Sequence, residues 1–134
     1  MRFFDTDVMT DIIRDYRPSV DWLISLGEEE IGLPGFVVME LIKGCRNNEE
    51  LNNLQNLLAE FLIFWPSSED CGRALNDLLH FHLSHNLGIL DALIGECAVG
   101  TSAVLCTFNE RHFNIIPRLE TEQPYEKSRP PQSS

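Results

Sequence analysis

Basic residues are scarce in this sequence: ten Lys and Arg stand against twenty-one Asp and Glu, for a formal net charge of −11. A chain so balanced repels polyanions at long range, which argues against indiscriminate nucleic-acid binding. Phosphate chemistry on it would need a bound cation and a local basic surface, and a cationic protein partner suits the same charge. Long apolar runs are also missing. No stretch of roughly eighteen uncharged apolar residues occurs, so no membrane-spanning helix is expected. The start, Met1-Arg2-Phe3-Phe4-Asp5, lacks the basic end, apolar stretch and cleavage site of a secretory signal. A soluble cytoplasmic protein is the expectation. The four cysteines, Cys45, Cys71, Cys97 and Cys106, contain no Cys-x-x-Cys pair. Two disulfides are formally open, but Cys45 and Cys97 fall in helix-like apolar patterns and Cys106 in a strand-like one. Buried thiols in a reducing compartment are the better reading. No internal repeat is present.

What is present suffices for one core: 134 residues, 43% of them hydrophobic, predict a single domain. We expect it to span residues 1–125, with 126–134 a disordered tail rich in Pro, Ser and charge. Arg2-Phe3-Phe4 reads as a strand running into Asp5. Val8, Ile12 and Ile13 follow at helical spacing, Pro18 is expected to break that helix, and Ser19 to cap the next. Ile31-Gly32-Leu33 reads as a strand interrupted by Pro34 and Gly35, and Phe36 to Lys43 is apolar around Glu40. Leu51, Leu54, Leu57, Leu58 and Phe61 form an amphipathic series. Leu62 to Trp65 reads as a third strand, and Ser67 or Ser68 as the start of a helix running to about Leu87. A helix is expected from Asp91, a buried strand over Ala103 to Cys106, and a last strand near Leu119 to Glu122. Strands alternating with helices predict an α/β fold, a mostly parallel sheet covered on both faces. Ligands of such sheets bind at the carboxyl edge of the strands. Asp5 ends the first strand and Asn109 follows the fourth, so both converge there.

Three acids stand at or within apolar segments. Asp5 directly follows a strand, where an unpaired carboxylate loses solvation; the plain alternative is a helix cap. Glu40 lies inside Phe36-Val37-Val38-Met39-Glu40-Leu41-Ile42, with an ion pair to Lys43 as its alternative. Asp91 precedes Ala92-Leu93-Ile94 and can also be a cap. Three carboxylates gathered at one sheet edge repel one another, and a divalent metal relieves that repulsion. His80, His82 and His85 have no carboxylate or cysteine at a recognised ligand spacing, so an exposed helix surface is their better reading. His112 is the one histidine expected near the acids. Trp22 and Trp65 read as core residues.

Taken in order, Phe4-Asp5-Thr6, Met39-Glu40-Leu41-Ile42-Lys43-Gly44, Asp91-Ala92-Leu93-Ile94 and Thr107-Phe108-Asn109-Glu110-Arg111-His112-Phe113 resemble PIN-domain proteins. The likeness is greatest to the VapC-type toxins of prokaryotic type II toxin–antitoxin pairs, and Ile115-Ile116-Pro117-Arg118-Leu119 extends it; it covers about residues 1–125. The resemblance implies a five-stranded parallel sheet between helices and an Mg²⁺ or Mn²⁺ site that hydrolyses RNA. Asp5, Glu40 and Asp91 fall on the family's catalytic and metal positions, with Glu40 acting through a water. Thr6 falls on a supporting hydroxyl position and Asn109 on a polar one where relatives often carry a further acid. The departure at Asn109 and His112 puts a second metal in doubt, and Asp7 is an extra acid with no assigned role. The resemblance further implies a cognate small antitoxin and a homodimer, for which helices near 19–26 or 51–61 offer apolar surface. Two alternatives remain open. A PIN fold kept as a protein-interaction module would need no catalysis. Asp5-Thr6-Asp7 also imitates the start of haloacid dehalogenase-like phosphatases, but no matching lysine motif or paired-aspartate loop follows.

Overall fold

The structure, a computed structural model, describes residues 1–127. Five short strands form its sheet: β1 (Arg2–Phe4), β2 (Ile31–Pro34), β3 (Leu62–Phe64), β4 (Val104–Cys106) and β5 (Glu120–Glu122). They lie in the order β3-β2-β1-β4-β5, and every pairing is parallel. Parallel neighbours cannot be joined by a tight turn, so helices carry most of the crossovers. These are α1 (Thr6–Ile13), α2 (Arg17–Ser25), α3 (Gly35–Lys43), α4 (Asn48–Leu58), α5 (Ser68–His85), α6 (Ile89–Thr101) and the short α7 (Glu110–Phe113). The predicted α/β class and five-stranded parallel sheet are both observed. No helix among the described residues is long and apolar enough to cross a membrane.

The middle of the sheet is apolar on both faces, as parallel strands under helical cover must be. Phe3, Phe4, Leu33, Leu105 and Cys106 are fully buried there. Val8, Met9, Val37, Ile94 and Phe113 close over them from the helices. Trp22 joins this core, its ring 4.9 Å from that of Phe4. Trp65 does not. It is 58% exposed, because it lies across the start of α3, where a Cβ on Gly35 would come within 2.5 Å of its ring. Its neighbour there is Phe36, at 5.6 Å. The four cysteines are unpaired; Cys97 and Cys106 are buried, Cys45 half-buried and Cys71 exposed.

Local chemistry sets the element boundaries. Pro18 does not separate two helices but sits in the first turn of α2, where a missing N–H costs nothing. Ser19 is consequently a buried helical residue, its hydroxyl donating to the Tyr16 carbonyl at 2.6 Å. Ser67 caps α5 in a reciprocal pair with Asp70: each backbone N–H donates to the other's side chain, at 2.9 and 3.1 Å. α5 then ends at Asn86, which takes the left-handed conformation (φ 53°). α7 is the one helix without a sequence signal. At the far end, the Tyr125 hydroxyl donates to Asp11 at 2.7 Å and Lys127 pairs with the same carboxylate at 3.0 Å. Glu126 and Lys127, expected in the tail, are thus described; 128–134 lie outside the described residues.

α5 and α6 pack through a buried polar cluster. The Arg73 guanidinium donates to Asp70 at 2.5 Å and to Glu96 at 2.8 Å. Asp77 faces the same Glu96, and its Oδ2 has no hydrogen-bond partner. Burial, and then the Glu96 carboxylate, push Asp77 up to about 7 from an ordinary 3.8. Folded Asp77 therefore holds a proton that the unfolded chain has released across that window, so stability falls as pH rises through it. Asp77→Asn should flatten this fall. Thermal melts between about pH 5 and about pH 8 should show a smaller loss of Tm in the variant than in the parent.

Candidate active site

β1 and β4 are paired so that Phe4 lies opposite Cys106. The residues that leave the two strands, Asp5 and Thr107, therefore emerge side by side at the carboxyl edge. Thr107 Oγ1 donates to Asp5 Oδ2 at 2.8 Å, and both residues are buried. Asp5 also caps α1, its Oδ1 accepting the Thr6 N–H at 2.9 Å. The capping alternative is thus correct for Asp5 and does not exclude a second role. Asp5 has no Lys or Arg partner among the described residues. Its carboxyl is pushed up to about 7, first by desolvation and then by Asp7, with Asp91 adding to the effect.

Thr6 joins Asp5 to Glu40. Its backbone N–H goes to Asp5, and its hydroxyl donates to Glu40 Oε1 at 3.0 Å. Glu40 is carried by α3, and no ion pair with Lys43 forms. Asp91 is not a cap: α6 begins two residues earlier with Gly88 at its N-cap, placing Asp91 in the first turn. A carboxylate there is favoured by the helix dipole and stays half-buried beside Asp5. Its Oδ2 is 2.8 Å from His112 Nε2, on α7. Asn109 is exposed, and its backbone N–H donates to Thr107 Oγ1 at 3.0 Å; its side chain makes no hydrogen bond to the three acids.

The structure therefore links Asp5, Thr6 and Glu40 directly, links Asp91 with His112, and couples the two groups through the mutual repulsion of Asp5 and Asp91. Among the described residues, no three of the His, Cys, Asp and Glu side chains are drawn together into a preformed ligand set. His80, His82 and His85 lie along α5 away from the acids; His80 and His82 point at backbone carbonyls and His85 at the Ser84 hydroxyl. Two residues had no role in the sequence reading. Thr107 carries the hydroxyl that holds Asp5. Asp7 accepts the backbone N–H groups of Val8 and Phe108 at 2.8 and 3.1 Å, tying α1 to the loop after β4. A hydroxyl immediately after an apolar strand was a visible signal for Thr107, but only strand order shows that it faces Asp5.

The sequence model of the PIN domain matches residues 2–119. The chain belongs to the PIN-domain family. Over 126 residues it is 32% identical to Ribonuclease VapC19 of Mycobacterium tuberculosis, covering 90% of this chain and 98% of that relative. Among solved structures, VapBC2 from Rickettsia felis bound to a promoter DNA fragment superposes with a TM-score of 0.75 at 22% identity, covering 90% of this chain and 96% of that one. A toxin–antitoxin complex from Klebsiella pneumoniae gives a TM-score of 0.77 at 21% identity, over 95% and 100%. The solved structures share the fold, and the sequence relative makes this a VapC-type PIN domain.

The hydroxyl that holds Asp5 can be tested. Thr107→Val should lower stability by about 1–2 kcal/mol, since it leaves a buried carboxylate oxygen without its donor. Thr107→Ser should restore most of the loss. Chemical denaturation checks both.

Proposed function

We propose that this PIN domain is an Mg²⁺- or Mn²⁺-dependent ribonuclease with Asp5, Glu40 and Asp91 as its catalytic acids. The observation that carries this is the buried, cation-free Asp5 carboxylate, pushed up to about 7 and repelled by Asp91, with Glu40 one threonine away. Such oxygen donors fit a hard divalent cation, which would offset the repulsion. Asp5 and Asp91 would hold it directly, and Glu40 through a water. A bound divalent cation supplies Lewis acidity and lowers the pKa of a coordinated water.

The chain's own residues then divide the work. The Thr6 hydroxyl occupies Glu40 Oε1 and leaves Oε2 to accept the proton of the water that attacks phosphorus. Asp5 is kept in place by the Thr6 N–H and the Thr107 hydroxyl, so neither oxygen has to reorganise on reaction. Asn109 and His112 border the site and complete its rim. A groove of about 880 Å³ runs from Thr6 and Glu40 along α1 and α4 to Arg14 and Arg46, offering a strand room beside Glu40.

The reading includes two protein partners. The relative is named a ribonuclease of the VapC type, and the solved neighbours are antitoxin complexes, which supports a cognate antitoxin here. A net charge of −11 suits an antitoxin with a basic arm. A second copy of the chain is the other partner. Of the two expected surfaces, α4 turns its Leu54 and Leu58 into the core and α2 exposes Ile24. The larger uncovered apolar row is on α5, where Leu75, Leu79 and Leu83 are 61%, 77% and 95% exposed at four-residue spacing. A row without charges can meet itself across a twofold axis. A cytoplasmic location accompanies this reading.

Purified antitoxin-free protein should cleave single-stranded RNA with Mg²⁺ or Mn²⁺, and a chelator should stop it. Asp5→Asn and Asp91→Asn should each lower the rate by at least about 100-fold. Undiminished cleavage by both variants would remove the site from consideration. Leu79→Glu together with Leu83→Glu should convert a dimer to a monomer in sedimentation velocity; an unchanged dimer would move the interface elsewhere.

A further inference from the structure

The loop after β4 presents no free acid to the three carboxylates. Asn109 is neutral. Glu110 turns away to β5, where its Oε2 accepts the Thr121 hydroxyl at 2.8 Å. Asp7, the spare acid of α1, has both oxygens taken by the backbone N–H groups of Val8 and Phe108. The group that does reach the site is an imidazole: His112 Nε2 lies 2.8 Å from Asp91 Oδ2.

Four of the six carboxylate oxygens already have one partner and keep a further lone pair. Glu40 Oε1 accepts from Thr6, Asp5 Oδ1 and Oδ2 each accept one bond, and Asp91 Oδ2 faces His112. Glu40 Oε2 and Asp91 Oδ1 accept no hydrogen bond among the described residues. That set can serve one hard dication and its waters. A pair of dications would set four positive charges against three carboxylates. A second ion on Asp91 Oδ2 would have to share that oxygen with the imidazole beside it.

We propose that His112 is a positioning residue that limits the site to a single divalent ion, holding Asp91 by Oδ2 and standing where an acid for a second ion would have to lie. This rests on the metal-dependent reading above. An imidazole N–H donating to the outer oxygen of a ligating carboxylate fixes that ligand's orientation, and losing such partners typically weakens metal affinity by about 10–100-fold.

Mn²⁺ alone, titrated into the full chain, gives the readout. Free Mn²⁺ counted by electron paramagnetic resonance gives stoichiometry, and calorimetry gives affinity. Wild-type protein should bind one ion. His112→Gln, whose amide N–H reaches about where Nε2 lies, should bind one ion within a few-fold of wild type. His112→Ala should bind one ion about 10–100-fold more weakly. His112→Asp should bind two, with a spin-coupled spectrum that wild type lacks. If His112→Asp fails to fold, wild-type stoichiometry and the Gln and Ala variants still test the role of His112. Two ions on wild type, or equal affinity for wild type and His112→Ala, overturns the role of His112 while leaving chelator-sensitive cleavage intact. No bound ion, with cleavage indifferent to chelation, overturns the metal reading itself and this inference with it.

Discussion

Parallel pairing of β1 with β4 is the constraint from which the site follows. The two strands are far apart in sequence, yet their register sets Phe4 against Cys106 and so delivers Asp5 next to Thr107. A shift of one residue would turn the Asp5 side chain to the other face of the sheet and bury it among Phe and Leu with no donor. Register is strongly specified because both faces are covered: Phe3, Phe4, Leu105 and Cys106 are fully buried. The core thus aims the carboxylate, and the carboxylate contributes little to the core.

Around that point the chain handles its acids in three different ways. Asp70 and Glu96 share ion pairs with Arg73 inside the α5–α6 contact. Asp7 is satisfied by backbone N–H groups. Asp5, Glu40 and Asp91 have no Lys or Arg partner among the described residues; hydroxyls and a backbone N–H hold Asp5 and Glu40, and the His112 ring faces Asp91. The contrast separates acids paired within the fold from acids without a Lys or Arg partner. Arg73 could not have served at the site without occupying it.

Much of the fold could be read from the chain. Alternating apolar strands and amphipathic helices indicated the parallel sheet, and Ser67 with Asp70 announced the start of α5. Pro18 was misleading because the same residue that breaks a helix interior is welcome in its first turn. Trp65 was misleading because a large apolar residue reads as core, whereas here it covers Gly35 from outside. The exposed row on α5 was not read from the sequence, because its exposure depends on which face α6 covers.

For the site, the sequence by itself determined the residue types: three acids at the ends or starts of apolar segments, a threonine after the first, and a neutral loop after β4 where relatives often carry an acid. Local chemistry sufficed for that, since an acid in an apolar setting is costly wherever the chain goes. Only the tertiary structure decided their relations. Asp5 proved to be a helix cap held by Thr107, Glu40 turned from Lys43 to Thr6, and Asp91 met His112. Thr107 became visible as a partner of Asp5 only once β4 lay beside β1. Strand order is a property of the whole packed sheet, and no local segment encodes it.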